Sequence, residues 1–178
     1  GAAPQPLMDS VGLPLRESLP LVVDLLKKHG LRERVKVIAS GKLIVPSKVA
    51  WALALGADFI VSARGHMFSL GCIQALQCNK DTCPTGITTQ DKRLQRALEV
   101  EGAAIRVANY VKTLEKEVYM LCHSCGYSSP DQFTADDIMV VTSPGHLDYL
   151  SELYMVSASE ASMERGAARL AASDCEEG

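Results

Sequence analysis

Three of the six cysteines in this chain stand within twelve positions. They are Cys72, Cys78 and Cys83 in "GCIQALQCNKDTCPTG" (Gly71–Gly86), spaced C-x5-C-x4-C. Thiolates bind soft and borderline metals. Three of them in an irregular loop of Asn, Lys, Asp, Thr and Pro can wrap a single cluster. Iron–sulfur ligand runs often end in Cys-Pro, and Cys83-Pro84 has that form. Three close cysteines suit a 3Fe-4S cluster, which lacks one iron and needs no fourth ligand, although the gaps are wider than the x2 gaps of bacterial ferredoxins. Zinc competes. It needs a fourth donor, with His66 or Cys125 the candidates, and the run lacks the usual C-x2-C start. A third reading makes Cys72 and Cys78 small buried apolar residues. Spacing by itself leaves the three open.

Two further segments have residue types suited to a ligand. "IASGK" (Ile38–Lys42) and "SARG" (Ser62–Gly65) each put small residues and a glycine just past an apolar β-branched run. Glycine lets backbone N–H groups approach a ligand closely. Turns after consecutive parallel strands bind phosphate in this way, helped by a helix N-terminus. The candidate residues are Ser40, Gly41 and Lys42 in the first turn and Ala63, Arg64 and Gly65 in the second. The competing reading is two ordinary turns with solvated cations.

"CHSC" (Cys122–Cys125) has the form of a redox pair or half a zinc site, but it closes a helical stretch, has no strand after it and lacks a second pair. Partly buried helix-end thiols are the expectation. His29, His66, His123 and His146 stand singly, with no visible acid or nucleophile partner. His66 draws interest because it adjoins the second candidate phosphate turn. Trp51 reads as core.

These residues need a scaffold, and the chain is long enough for one domain with a real core, at 178 residues and 47% apolar. A net charge of −3 argues against nucleic acid and anionic lipid as partners. No apolar run approaches the roughly 20 residues that span a membrane. The opening residues lack a signal peptide's basic start and apolar stretch, so the expectation is a cytoplasmic protein whose clustered thiols bind metal or do redox chemistry.

Pro4, Pro6, Gly12 and Pro14 predict a loop over residues 1–17. Ser18 is the expected cap of a first helix, with Pro20 in its first turn, an apolar stripe of Leu19, Val22, Val23, Leu25 and Leu26, and a stop at Gly30. Arg34–Ser40 reads as a strand, Pro46–Leu55 as a helix ending at Gly56, and Asp58–Ala63 as a second strand. That rhythm is a βαβ crossover with parallel strands. "RGHMF" reads as a loop into the cysteine segment. Helical stretches follow at about Asp91–Leu98 and Glu101–His123, the longer presenting Ala104, Ala108, Val111, Leu114, Val118 and Leu121 on one face. "TADD" (Thr134–Asp137) opens a further short turn. Residues 1–155 make one unit, and the Ala-, Ser- and Glu-rich 156–178 a polar tail, a weak surface helix or disordered.

Two parallel strands cannot bury themselves. The fold class expected is α/β, the C-terminal portion of a (β/α)8 TIM-like barrel that is incomplete in this chain.

At this point the residues resemble a known family. "VIASGKL" and "ALALGADFIVSARGHMFSLGCIQALQCNKDTCPTGITTQD" are similar to the FMN-binding region of glutamate synthase large subunits, and closer to the compact FMN-binding glutamate synthase family proteins. The resemblance covers about Gly1 to Met155, and C-x5-C-x4-C followed by Pro-Thr-Gly is its most specific motif. It implies a TIM-like barrel carrying FMN and one 3Fe-4S cluster. Cys72, Cys78 and Cys83 match the cluster ligands. Ser40, Gly41, Lys42, Ala63, Arg64 and Gly65 fall in the stretch that holds FMN, mainly its phosphate end. The implied reaction is reductive amination of 2-oxoglutarate to L-glutamate with ammonia, free or derived from glutamine. Electrons would come from an NADPH-dependent partner subunit or from ferredoxin. An amidotransferase portion is not matched. The barrel strands for 2-oxoglutarate and the flavin ring are expected upstream of Gly1, so a partner chain or further segment should complete the barrel. Two rivals stand beside this reading: a non-catalytic zinc-binding or assembly module, and an inactive fragment.

Overall fold

The structure is a computed structural model that describes residues 3–8 and 11–154. The tail expected at 156–178 lies outside the described residues. After a one-turn helix, α1 (Gln5–Met8), comes α2 (Leu15–Lys28). The segment before Ser18 is therefore not all loop. Helix α2 starts three residues before Ser18, because the Pro14 carbonyl accepts from the N–H groups of Glu17 (3.1 Å) and Ser18 (2.9 Å). Pro20 thus lies inside the helix instead of in its first turn. Leu19 and Val23 are buried, while Val22 and Leu25 of the expected stripe are half exposed. The predicted stop at Gly30 is correct. Gly30 sits at φ +65°, and the N–H groups of Gly30 and Leu31 return to the carbonyls of Lys27 and Leu26 at 3.0 and 2.8 Å, a Schellman closure.

Strand β1 (Ile38–Ser40), helix α3 (Pro46–Ala54) and strand β2 (Phe59–Val61) form the expected βαβ unit. Pro46 opens α3, where its missing N–H is harmless. Gly56 at φ +98° ends it with a second Schellman closure, its N–H on Leu53 and that of Ala57 on Ala52. The strands are parallel, in the register Ile38↔Phe59, Ala39↔Ile60, Ser40↔Val61. β1 is shorter than predicted because residues 32–34 form a 3-10 turn. Among the described residues the parallel sheet has these two strands. Ala39 is buried, whereas Ile38 and Phe59 are 63% and 59% exposed. A parallel sheet ordinarily has both faces covered; this one does not.

Helix α4 (Ala63–Leu70) follows β2 at once, which corrects the expected "RGHMF" loop. Gly65 is buried against α6 and the helix runs through it. Helix α5 (Lys92–Gln95) is capped by the Asp91 carboxylate, which accepts from the Arg93 N–H at 2.7 Å. Helix α6 (Val100–Ser124) is capped by Glu99, which accepts from the N–H groups of Glu101 and Gly102. α6 packs on α3 and α4. Its buried positions are Ala103, Val118 and Cys122, and Leu114 packs on the core; Leu114 and Val118 of the predicted face thus point inward, whereas Ala104, Ala108, Val111 and Leu121 are exposed. Period alone could not separate two adjoining apolar stripes.

The 3-10 turn Ala135–Asp137, capped at Thr134, matches the predicted short turn. Strands β3 (Met139–Ser143) and β4 (His146–Tyr149) then form an antiparallel hairpin, followed by α7 (Leu150–Tyr154). The hairpin was not foreseen, although Pro144-Gly145 between apolar runs is a turn signal. Leu150 is fully buried and joins Leu19, Val23, Ala52, Val118 and Cys122 in one core, with Trp51 packed at its margin as expected.

A side-chain clamp holds the entry to the sheet. Asp58 accepts from the Val37 N–H at 2.7 Å and pairs with Arg32 at 2.9 Å and with the exposed Lys36 at 3.1 Å. Arg32 also donates to the carbonyls of Val35 and Gly56. Loss of water would raise the Asp58 carboxyl; the Val37 N–H, Lys36 and Arg32 outweigh it and hold the group below its ordinary 3.8. A depressed carboxyl contributes stability above its unfolded value and loses it as pH falls through the folded one. Asp58→Asn should therefore lower stability by about 1–2 kcal/mol at pH 7, where the partly exposed pair is already screened. The difference should shrink as pH falls below the ordinary 3.8 and vanish only once pH has passed through the lower folded value. Urea unfolding at pH 7 and pH 3 checks this, and a difference that stays constant with pH would contradict it.

Candidate flavin and metal site

The parallel register brings the C-terminal ends of β1 and β2 side by side, so the turn Ser40–Lys42 adjoins the turn that starts α4 at Ala63, Arg64 and Gly65. The first backbone bond of α4 runs from the His66 N–H to the Ser62 carbonyl at 3.1 Å, which leaves the N–H groups of Ala63, Arg64 and Gly65 outside the helix ladder. That is the arrangement of donors an anion needs. Lys42 holds φ +56°, unusual without glycine.

The two glycines have a packing reason as well. A Cβ on Gly41 would meet Leu15 Cβ at 2.8 Å. A Cβ on Gly65 would overlap the Tyr110 hydroxyl and lie 2.6 Å from Ser62 Oγ. Tyr110, 48 residues away on α6, was invisible to a reading of local motifs. Its hydroxyl donates to the Ile44 carbonyl at 2.9 Å and lies 2.6 Å from Ser62 Oγ. With the single phenolic proton on Ile44, Ser62 is the donor in the second bond. The His66 ring meets the Tyr110 ring edge to face, and its Nδ1 lies 2.7 Å from the Ser62 carbonyl oxygen.

Helix α4 ends at Gly71, φ +108°, and the Cys72 N–H returns to the Met67 carbonyl at 3.0 Å. Arg106 of α6 donates to the carbonyls of Ser69 and Leu70 at this end. Cys72 is therefore tied to a helix terminus. Beyond it, Gln74, Leu76 and Asp81 all have positive φ, a concentration of strain between the first and third cysteines. Cys78 opens a 3-10 turn and is partly exposed. The far end of the loop is laced down: Thr89 Oγ1 donates to the Asp81 carbonyl (2.5 Å), the Gln90 N–H to the Asp81 carboxylate (2.6 Å), and Gln95 to the Thr89 carbonyl (2.9 Å).

Cys83 is buried. It begins a turn in which Pro84 follows it and the Gly86 N–H returns to its carbonyl at 3.2 Å. Loss of water would raise its thiol, but the Thr85 hydroxyl, 3.3 Å from the sulfur, outweighs this together with the N–H groups of Thr88 and Thr85. The thiol is brought down to about 6. Thr88 Oγ1 is buried and has no hydrogen-bond partner. The donor chemistry at Cys83 thus fits a sulfur-bound metal centre. The arrangement of the three thiols is looser: among the described residues no three His, Cys, Asp or Glu side chains come together as a metal cage. Cys72, Cys78 and Cys83 share one loop, in which Gln74, Leu76 and Asp81 are left-handed.

Cys122 is fully buried within the core, and Cys125 is exposed at the end of α6, as expected for helix-end thiols. A groove of about 180 Å³ between α2, Leu55 and α7 contains none of the predicted site residues. Among the described residues no helix is long and apolar enough to cross a membrane.

Comparison with known proteins gives the family. The family model described as a conserved region in glutamate synthase matches residues 1–128. The chain is 46% identical over 153 residues to the glutamate synthase large subunit-like protein YerD of Bacillus subtilis, covering 86% of this chain and 29% of that protein. It is 36% identical over 129 residues to the archaeal glutamate synthase (NADPH) of Methanocaldococcus jannaschii, covering 72% of this chain and 25% of that protein. To the glutamate synthase (NADPH) large chain of Bacillus subtilis it is 31% identical over 132 residues, 74% of this chain and 9% of that protein. The chain therefore spans less than a third of the length of these relatives and is a member of the glutamate synthase family.

Proposed function

We propose that this chain contributes the flavin-phosphate turns and the cluster loop of a glutamate-synthase-type oxidoreductase that makes L-glutamate from 2-oxoglutarate and ammonia, free or released from glutamine. The observation that carries the reading is the C-x5-C-x4-C-Pro-Thr-Gly loop directly after a paired set of βα turns, in a chain of this family.

In this reading Ser40, Gly41 and Lys42, with the N–H groups of Ala63, Arg64 and Gly65, hold the phosphate of FMN. Cys72, Cys78 and Cys83 hold a 3Fe-4S cluster. When bound, the two groups supply one-electron relay and hydride transfer. The chain's own part is placement and electrostatics. The α4 N-terminus and Lys42 neutralise the phosphate dianion. Thr85 sets its hydroxyl against the Cys83 sulfur, and hydrogen bonds to ligand sulfurs tune a cluster's potential. Electrons come from an NADPH-dependent subunit or from ferredoxin. The exposed sheet face bearing Ile38 and Phe59 is the side on which further barrel strands, in the same polypeptide or a partner chain, would close the fold. The compartment proposed is the cytoplasm.

The test is glutamate formation from 2-oxoglutarate and ammonia with a chemical reductant. The chain is assayed alone and assembled with the N-terminal barrel segment of a family member. Activity in the assembly, abolished by Cys83→Ser, is expected. An assembly that folds and binds flavin but forms no glutamate would contradict the reading.

A further inference from the structure

The residue that organises the phosphate turns is in neither of them. Tyr110 lies on α6, yet its hydroxyl touches the Ile44 carbonyl in the turn after β1 and Ser62 Oγ at the start of α4. Ser62 is buried, Gly65 leaves no room for a side chain beneath the ring, and the His66 ring packs edge to face on it while its Nδ1 lies against the Ser62 carbonyl. One phenol thus saturates two polar groups belonging to separate turns and fixes the distance between them.

We propose that Tyr110 is a positioning residue for the flavin phosphate: its hydroxyl locks the turn after β1 to the first turn of α4, so that both sets of backbone donors face one anion. The proposal rests on the flavin reading above and assigns the residue that makes the two turns one site. A phosphate needs several donors converging at about 2.8 Å, and turns that slide independently lose that convergence. Tyr110→Phe keeps the ring and its packing while removing the bridge, so it separates packing from positioning.

Two measurements decide it. The first is amide exchange in the 178-residue chain, where Tyr110→Phe should speed exchange about tenfold at residues 42–45 and 63–66 and leave the core of α3 unchanged. The second is flavin binding by the assembled protein, with FMN and riboflavin as probes. Tyr110→Phe should weaken FMN about tenfold and riboflavin less than about twofold, a loss of preference that general destabilisation would not give. Ser62→Ala, which removes one arm of the bridge, should give a smaller shift the same way and serves if Tyr110→Phe folds poorly. An unchanged FMN-to-riboflavin ratio in both variants, with wild-type protein preferring FMN, overturns the role of Tyr110 and leaves the flavin reading standing. Wild-type protein that binds FMN no better than riboflavin overturns the phosphate site itself.

Discussion

Gly86→Ala is expected to destabilise the chain by about 2–5 kcal/mol and to free the cysteine loop from its base. Gly86 holds φ +73°, a conformation that by itself disfavours an L side chain by about 1–2 kcal/mol. An added Cβ would also lie 2.5 Å from the Leu94 carbonyl oxygen and 3.0 Å from Gln95 Cα. Those are backbone atoms at the end of α5 and cannot rotate aside. The chain must either break the turn that returns the Gly86 N–H to the Cys83 carbonyl or push α5 away and lose the Gln95 bond to Thr89. The control is Gly145→Ala, with φ +80° and nothing within 4 Å of the new carbon. It should show the conformational penalty alone, about 1–2 kcal/mol. Urea unfolding of both variants measures the difference. Equal losses would mean that the contact with α5 yields freely and that the Pro-Thr-Gly portion of the motif does not hold the loop.

The second large effect is expected at Cys83. Cys83→Ser should abolish iron retention, while Cys125→Ser leaves it intact. Cys83 is the thiol that its surroundings already favour as an anion, with the Thr85 hydroxyl on the sulfur. A serine alkoxide is a poor ligand for soft iron sites. Cys125 lies exposed at the end of α6. Cys125 stands at the far end of α6 from Arg106, which holds the Ser69–Leu70 end of the loop, so it is the control and not a fourth donor.

Local punctuation was legible in the sequence because it is set by residues a few positions apart. Gly30 and Gly56 stop their helices at left-handed positions, Pro46 starts one, and the parallel pairing of β1 with β2 follows from the strand–helix–strand rhythm. Errors arose where a distant partner decides. "RGHMF" contains a glycine, but Tyr110 fills the space above Gly65 and the segment is helical. The long helix was found, and Leu114 and Val118 of its predicted face do turn inward, yet Ala103 and Cys122 were missed because α3, α4 and the C-terminal elements bury them. Gly41 and Gly65 were read as room for a ligand; Leu15 and Tyr110 also demand them. The donors to the Cys83 sulfur could have been anticipated, since Thr85 and Thr88 stand in the same run. Tyr110 and Arg106 could not, because 48 residues separate Tyr110 from Ser62 and 37 separate Arg106 from Ser69.

The central claim is that the loop from Cys72 to Cys83 holds iron and sulfide through its three thiols. Its most direct measurement is iron and acid-labile sulfide per chain after anaerobic reconstitution, with an electron paramagnetic resonance spectrum of the oxidised sample. About three irons and about four sulfides per chain, with the signal of an oxidised three-iron cluster, are predicted. Less than about one iron per chain, or zinc without sulfide, would contradict the account.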